Sequence, residues 1–395
     1  MAKKNSSNFR FINSFKQLAF TDFGIALIIT LIWKVILTAV GYAVDSHAGG
    51  ALNLIDHTVR WDSGWYLAIV NGHYENITAS AAFYPLFPFL VYGLHFISFG
   101  AIDYIVAAQI INTLAVWFAL TAAIKLGRTI LGQKSRFWIV ALLLSAPAAF
   151  FMHTFYSEAI FVALSFWAYY FALKKNWMGV GILLAILTSS RLPSILIVAL
   201  CGLEYLRSYD WNIKKALNKK ILWFFLAPLG FIAFSIYLGF AQHDFLGMFH
   251  AYKATHDWDY QVFNPNIFET ITVAAFQLVR GAIGIRPVNA EFVTNALLPA
   301  LSLLFLGLGS LYLFLNHRQK YLPLAIVGIL SIIMFTINSN VVSVHRYVLP
   351  SLTIYIAASL FFNKKRRIYL YVACVLGILA QILLYTNFVQ NVFAG

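Results

Sequence analysis

Residues 81–99 read AAFYPLFPFLVYGLHFISF, and whether this stretch crosses a membrane decides the topology of the whole chain. It is apolar and long enough to cross, since a span needs about 20 residues. Pro85 and Pro88 interrupt its helical pattern, however, and His95 sits in its second half. The surroundings are apolar as well: of 395 residues 61% are hydrophobic and 11% charged, and mean hydropathy is +0.77. A water-soluble domain carries about 45–50% apolar and about 25% charged residues, so this chain has too little polar surface to cover itself in water. It reads as an all-α polytopic membrane protein.

Outside 81–99, apolar runs predict eleven spans at 24–44, 104–124, 137–151, 157–173, 177–190, 192–206, 221–240, 292–315, 321–337, 347–362 and 368–388. Lys and Arg collect in short cytoplasmic loops, so charge placement tests the count. If 81–99 does not cross, 21 of the 28 cations share one side, in the N-terminal tail and five loops. Eleven of the 14 acids and nine of the ten histidines then fall on the other side. A crossing at 81–99 would put either the tail or all five basic loops on the wrong face. The stretch therefore reads as a re-entrant or surface-lying helix pair, with the N-terminus cytoplasmic. The +14 net charge becomes a record of membrane orientation, and no nucleic-acid partner is needed to explain it.

Two long polar stretches, 45–103 and 241–291, then both lie on the outer side of a single membrane domain spanning 1–395. Cys201 and Cys374 fall inside apolar runs, which excludes a disulfide framework or a CxxC metal site. The run Phe23 to Val44 lacks a small-residue cleavage site and is expected to remain as the first span. No phosphate-cradling GxxxxGK[ST] and no dinucleotide GxGxxG occurs, so nucleotide-driven chemistry has no support.

Chemistry is expected on the outer side. The first stretch holds Arg60, Trp61, Asp62, Trp65 and Tyr66. A carboxylate flanked by two tryptophans and an arginine, shielded from bulk water, can act as general base toward a sugar hydroxyl. The competing reading is an amphipathic interfacial helix with tryptophans at headgroup level and Arg60–Asp62 as a surface pair. Arg346 lies at an outer helix end between His345 and Tyr347, where a guanidinium fork suits a phosphate or a lipid headgroup, and Arg191 admits the same two roles. Lys34 is at mid-span in TLIWKVILT. An intramembrane cation faces a wet cavity or a buried partner, for which Glu158 is the candidate. In the second stretch His256 and Asp257 are candidates for substrate contact. The His and Asp spacings there fit no metal-ligand template and read rather as a solvated loop with aromatic membrane contacts; Asn76-Ile77-Thr78 matches the glycosylation sequon.

Taken together, RWDSGWYLAIVNGHY (60–74), AFYPLFPFL (82–90), SAPAAFFMHTFYSEAIF (145–161), LTSSRLPSIL (187–196) and SVHRYVLPSL (343–352) resemble successive blocks of the GPI mannosyltransferase 2 (PIG-V type) family. That family belongs to the GT-C glycosyltransferase superfamily, and the chain is shorter than its eukaryotic members, so a bacterial relative is expected. The resemblance implies a glycosyltransferase with surface helices in the first outer loop and its active site on the extracellular face of the cell membrane. It implies a hexose, mannose-like, taken from a polyprenyl-phosphate donor and given to a glycolipid or cell-envelope glycan acceptor. The family's essential Trp-Asp pair falls on Trp61 and Asp62, and the arginine of its RY block on Arg346. Arg191 and Lys34 are expected to assist at the donor phosphate, with membrane lipids around the prenyl tail. A divalent cation, Mg or Mn, is left open, and no metal ligands are assigned. The alternative is a polytopic transporter or lipid or oligosaccharide flippase, which many spans and a mid-span lysine would also serve. The lack of an internal repeat favours the enzyme.

Overall fold

The computed structural model describes residues 21–47, 53–75, 78–254, 266–285, 287, 289–338, 340–364 and 367–395. His256, Asp257, the sequon residues Asn76 and Ile77 and the basic tail at Lys3, Lys4, Arg10 and Lys16 lie outside them. The described residues form helices and no strand. In chain order the main helices are α1 (Asp22–His47), α2 (Ser63–Gly72), α3 (Leu86–Ile97), α4 (Tyr104–Leu131), α5 (Trp138–Leu144), α6 (Glu158–Leu173), α7 (Trp177–Leu187) and α8 (Ser194–Arg207). They continue with α9 (Leu229–Ala241), α10 (Gly247–Ala254), α11 (Ile267–Ala282), α12 (Leu298–Thr336), α13 (Val344–Tyr347), α14 (Leu352–Lys364) and α15 (Ile368–Val389).

Among the described residues five helical stretches are long and apolar enough to cross a membrane: Asp22–His47, Tyr104–Leu131, Lys219–Ala241, Ala290–Thr336 and Ile368–Val389. Their outward faces are apolar too. In α1, Leu31, Ile32, Val35 and Ile36 are about half exposed or more. A continuous apolar face of that kind suits hydrocarbon and not water. The expected break between 315 and 321 appears as non-helical backbone at His317 and Tyr321, just before Pro323, which has no N–H to continue the ladder. The run 137–151 does not form one helix; it divides into the seven-residue α5 and a 3-10 turn over Ala149–Met152.

The stretch 81–99 becomes a 3-10 turn over Thr78–Ala82 followed by α3. Twelve residues rise about 18 Å, well short of a hydrocarbon core of about 30 Å. Pro85 is the N-cap of α3, so the helix starts where the sequence pattern breaks. The Leu86 N–H donates to the Ser189 carbonyl at 3.1 Å, which ties this segment to the turn between α7 and α8.

The longest helices pack together. α4 lies against α1 and α6, and its start is fixed by Asp103, whose carboxylate accepts from the N–H groups of Ile105 and Val106 at 2.8 and 3.2 Å. The largest apolar core draws on residues from Ala26 to Ala394, so first and last helices share it. At Gly41 of α1 a Cβ would fall 2.3 Å from the His57 ring. Only glycine lets the loop after α1 fold down onto the helix there, and that loop leads directly to Asp62.

A candidate active site at one end of the bundle

Asp62 occupies the N-cap position of α2, where an aspartate ordinarily accepts from the first turn's N–H groups. Here its side chain makes no such bond. It turns to Arg346, whose Nη1 lies 2.8 Å from Asp62 Oδ2. The preceding residue, Trp61, is held at φ +55, and Ser343, which opens the short α13, at φ +66. Left-handed backbone at two non-glycine residues costs energy that the surrounding packing must supply, and it aims both arms of this pair.

Behind them lies Glu158 at the start of α6, buried to 2% exposure. Its Oε1 is 3.0 Å from Arg346 Nε and also forms an ion pair with Arg191 Nη1. The four groups form a chain, Asp62–Arg346–Glu158–Arg191, in which two cations balance two carboxylates. Burial disfavours the charge on Arg346, yet the carboxylates of Asp62 and Glu158 outweigh it and hold its pKa well above the ordinary value. Aromatic rings of Phe151, Tyr156 and Tyr347 sit 5.3–5.4 Å from the Arg346 guanidinium. Tyr347 also lies under Arg191, at 5.3 Å.

Asp62, Arg346 and Arg191 line a cavity of about 620 Å³, with Glu158 buried behind them. Trp61, Asp62, Trp65, Tyr66, Arg191, Arg346 and Tyr347 all line it, together with Phe83, Tyr84, Tyr252, Phe335 and Phe393. Trp61 is 45% exposed and packs edge-on against Phe393, whereas Trp65 stacks on Phe83 at 5.7 Å. Tyr66 shares a 2.8 Å hydrogen bond with Ser157, and burial pushes its phenol up to about 12, so it remains a donor at neutral pH. The cavity thus pairs an aromatic wall with a compact charged patch, an arrangement suited to a ligand with an apolar or sugar-like body and an anionic head.

Three of the residues singled out in the sequence have other places. Lys34 does not line the cavity and does not meet Glu158; its Nζ donates to Gln109 Oε1 at 2.8 Å inside the bundle. Glu158 is taken instead by the two arginines. Arg60 is not paired with Asp62. It binds Asp45 at 2.9 Å and donates to the carbonyls of Asp56, Val59 and Val389, which makes it a clamp between the ends of α1 and α15. His345 is off the cavity wall and donates from Nε2 to the Ala394 carbonyl at 2.9 Å. Burial lowers its pKa to about 4, so it is neutral. His256 and Asp257 lie outside the described residues.

Glu158 is the member that sequence reasoning placed with the wrong partner. The signal was an acid at the start of an apolar run; its partner could not be read because Arg191 and Arg346 lie 33 and 188 positions further along. Among the described residues no three His, Cys, Asp or Glu side chains converge to hold a metal ion. Among the described residues that line the cavity Asp62 is the one acidic side chain, and Arg346 engages it. No protein-family model and no curated protein matches the chain.

Proposed function

We propose that the chain is an inverting membrane glycosyltransferase with a GT-C-type bundle of about eleven membrane helices. It moves a hexose from a polyprenyl-phosphate donor to a glycolipid or cell-envelope acceptor on the extracellular face. The observation that carries the reading is the Asp62–Arg346 pair in an aromatic cavity that Arg191 also lines, with Glu158 behind them.

In this reading the charges of the ligand-free site cancel, and an incoming phosphate competes with Asp62 for Arg346. Asp62 is 30% exposed at its side chain and is the group free to swing, whereas Glu158 is locked between two arginines. Once displaced, Asp62 takes the proton of the acceptor hydroxyl. The oxygen forms its bond to the anomeric carbon as the bond from that carbon to the phosphate oxygen breaks. The electron pair leaves with the phosphate, where Arg346 and Arg191 meet the developing charge. A single displacement inverts the anomeric centre. Trp61 and Trp65 offer ring faces to the sugar, and Tyr66 offers a neutral hydroxyl.

The test is transfer by the purified protein in detergent, with polyprenyl-phosphate mannose and polyprenyl-phosphate glucose as donors and a lipid extract as acceptor. Labelled product from either donor, with the new linkage of opposite anomeric configuration, is the expected result. A protein that transfers from neither donor, in a strain whose deletion leaves glycolipids and wall glycans unchanged, would overturn the reading.

A further inference from the structure

A second cleft lies at the other end of the bundle. α1 runs 26 residues from Asp22 to His47, about 39 Å at the helical rise, and Asp45 near its far end holds Arg60 beside the first cavity. At the near end, Asp22 meets the last turns of α4 and the turn at 132–136 around a cavity of about 470 Å³. Lys125, Arg128 and Arg136 line it together with Gln133, and Asp22 is the single carboxylate on its wall. Arg128 is paired with Asp22. Lys125 has its ammonium 5.9 Å from the Tyr170 ring centroid, a face it shares with Lys174 at 5.6 Å.

Arg136 is the informative member. Its guanidinium lies over the Phe137 ring, 4.5 Å from the centroid, its Nε is buried without a hydrogen-bond partner, and its Nη1 reaches only the Gln133 carbonyl, at 3.4 Å. A guanidinium that meets a ring face and one long carbonyl contact keeps donors for an anion. The turn carrying Arg136 is also held closely. A Cβ on Gly127 of α4 would fall 2.2 Å from the Arg136 carbonyl oxygen, and Gly132 turns the chain at φ +84. The backbone of the turn therefore lies flush on α4, and the cation at its end is placed by packing.

We propose that this cleft binds a phosphate group, that of an anionic phospholipid headgroup, through Arg136, Lys125 and Arg128. Three cations against one carboxylate leave an excess of positive charge, and the Phe137 ring helps to hold the Arg136 guanidinium at the cleft wall. The cleft sits where α1 and α4 end, two of the helices long and apolar enough to cross a membrane, so it lies where headgroups meet such helices.

The experiment measures binding of phosphatidylglycerol to the full chain in detergent by thermal protection, with phosphatidylcholine and inorganic phosphate as comparison probes. Protection by phosphatidylglycerol that Arg136→Gln weakens about tenfold is the expected result, with Lys134→Gln, an exposed cation outside the cleft, within about twofold of wild type. Lys125→Gln is the second variant and weakens binding in the same direction if Arg136→Gln fails to fold. Equal weakening by Lys134→Gln would mean general surface charge, and unchanged binding in Arg136→Gln would mean another site; either overturns the proposal. So does equal protection by phosphatidylcholine. Equal protection by inorganic phosphate would overturn the lipid source and assign the cleft to a soluble anion.

Discussion

Arg346 and Lys34 are cations buried to a similar degree, 5% and 7% exposed, in a chain with few charges to spend on its interior. Arg346 has two carboxylates, three aromatic rings and a cavity in front of it. Lys34 has one neutral amide, and that amide is itself fixed, because Gln109 Nε2 donates to the His153 carbonyl at 2.9 Å. The first arrangement balances charge with charge beside open space, so a ligand's anion can exchange for Asp62. The second neutralises nothing, and Lys34 lines neither of the two cavities described above. Depth in a span therefore says less about function than what surrounds the charge and whether a ligand can reach it.

The largest expected effect breaks the site where the proton is taken. Asp62→Asn keeps the shape and removes the base, and sugar transfer should fall about 1000-fold, within the 100- to 10,000-fold range typical of positioned general bases. Kinetics with a polyprenyl-phosphate sugar measure it, and full activity in this variant would end the proposed role. Next comes Glu158→Gln, which leaves Arg191 and Arg346 facing each other without the buried carboxylate between them. Breaking one partner of such a pair costs about 3–5 kcal/mol, so the melting midpoint should drop markedly while the Asp62–Arg346 contact is retained. A small change in the denaturation midpoint would show that Glu158 is protonated or solvated, and the balanced charge chain would be the wrong description.

The loop that delivers Asp62 supplies a pH-dependent test. His57 is fully buried against Gly41, and burial lowers its pKa to about 4, opposed by Asp45 and assisted by Arg60. Unfolded, the ring titrates near 6.5, so between pH 6.5 and about 4 the unfolded chain binds the extra proton. The stability contributed is fully present above pH 6.5 and is lost as the pH falls toward 4, about 2 kcal/mol between pH 7 and pH 5. Chemical denaturation at the two pH values measures it, and His57→Gln should flatten the difference. An unchanged difference would assign it to other groups.

How much was legible follows from what each feature depends on. The break between 315 and 321 follows from the basic loop at Arg318 and Lys320, and the failure of 81–99 to form one long helix from Pro85 and Pro88, so both could be read directly. The clustering of Asp62, Trp61, Arg191 and Arg346 at one cavity was expected from charge placement and motif blocks, and the geometry brings them together. Pairings were not legible. Arg60 was set beside Asp62 because they are two positions apart, yet its partner is Asp45 on α1. Lys34 was given Glu158 because both are rare charges in apolar runs. Sequence shows that a buried charge needs a partner; only the packing of α1, α4 and α6 shows which atoms reach it.

Lys34→Met is the smallest expected effect and the one that tests the opening contrast most directly. The substitution removes a desolvated ammonium and fills a similar volume with an apolar chain, which favours the variant. It also leaves Gln109 Oε1 without its donor, a loss of about 1 kcal/mol or more. The two nearly cancel, so stability should stay within about 1 kcal/mol of wild type and sugar transfer within about twofold. Adding Gln109→Leu removes the orphaned oxygen but also the donor to the His153 carbonyl, so the two changes nearly cancel and the double variant should stay within about 1 kcal/mol of Lys34→Met alone. A single variant that folds normally and loses transfer would reverse the contrast. It would make the mid-span cation functional despite its neutral partner, and would move the working site toward the membrane midplane, where transporters hold theirs.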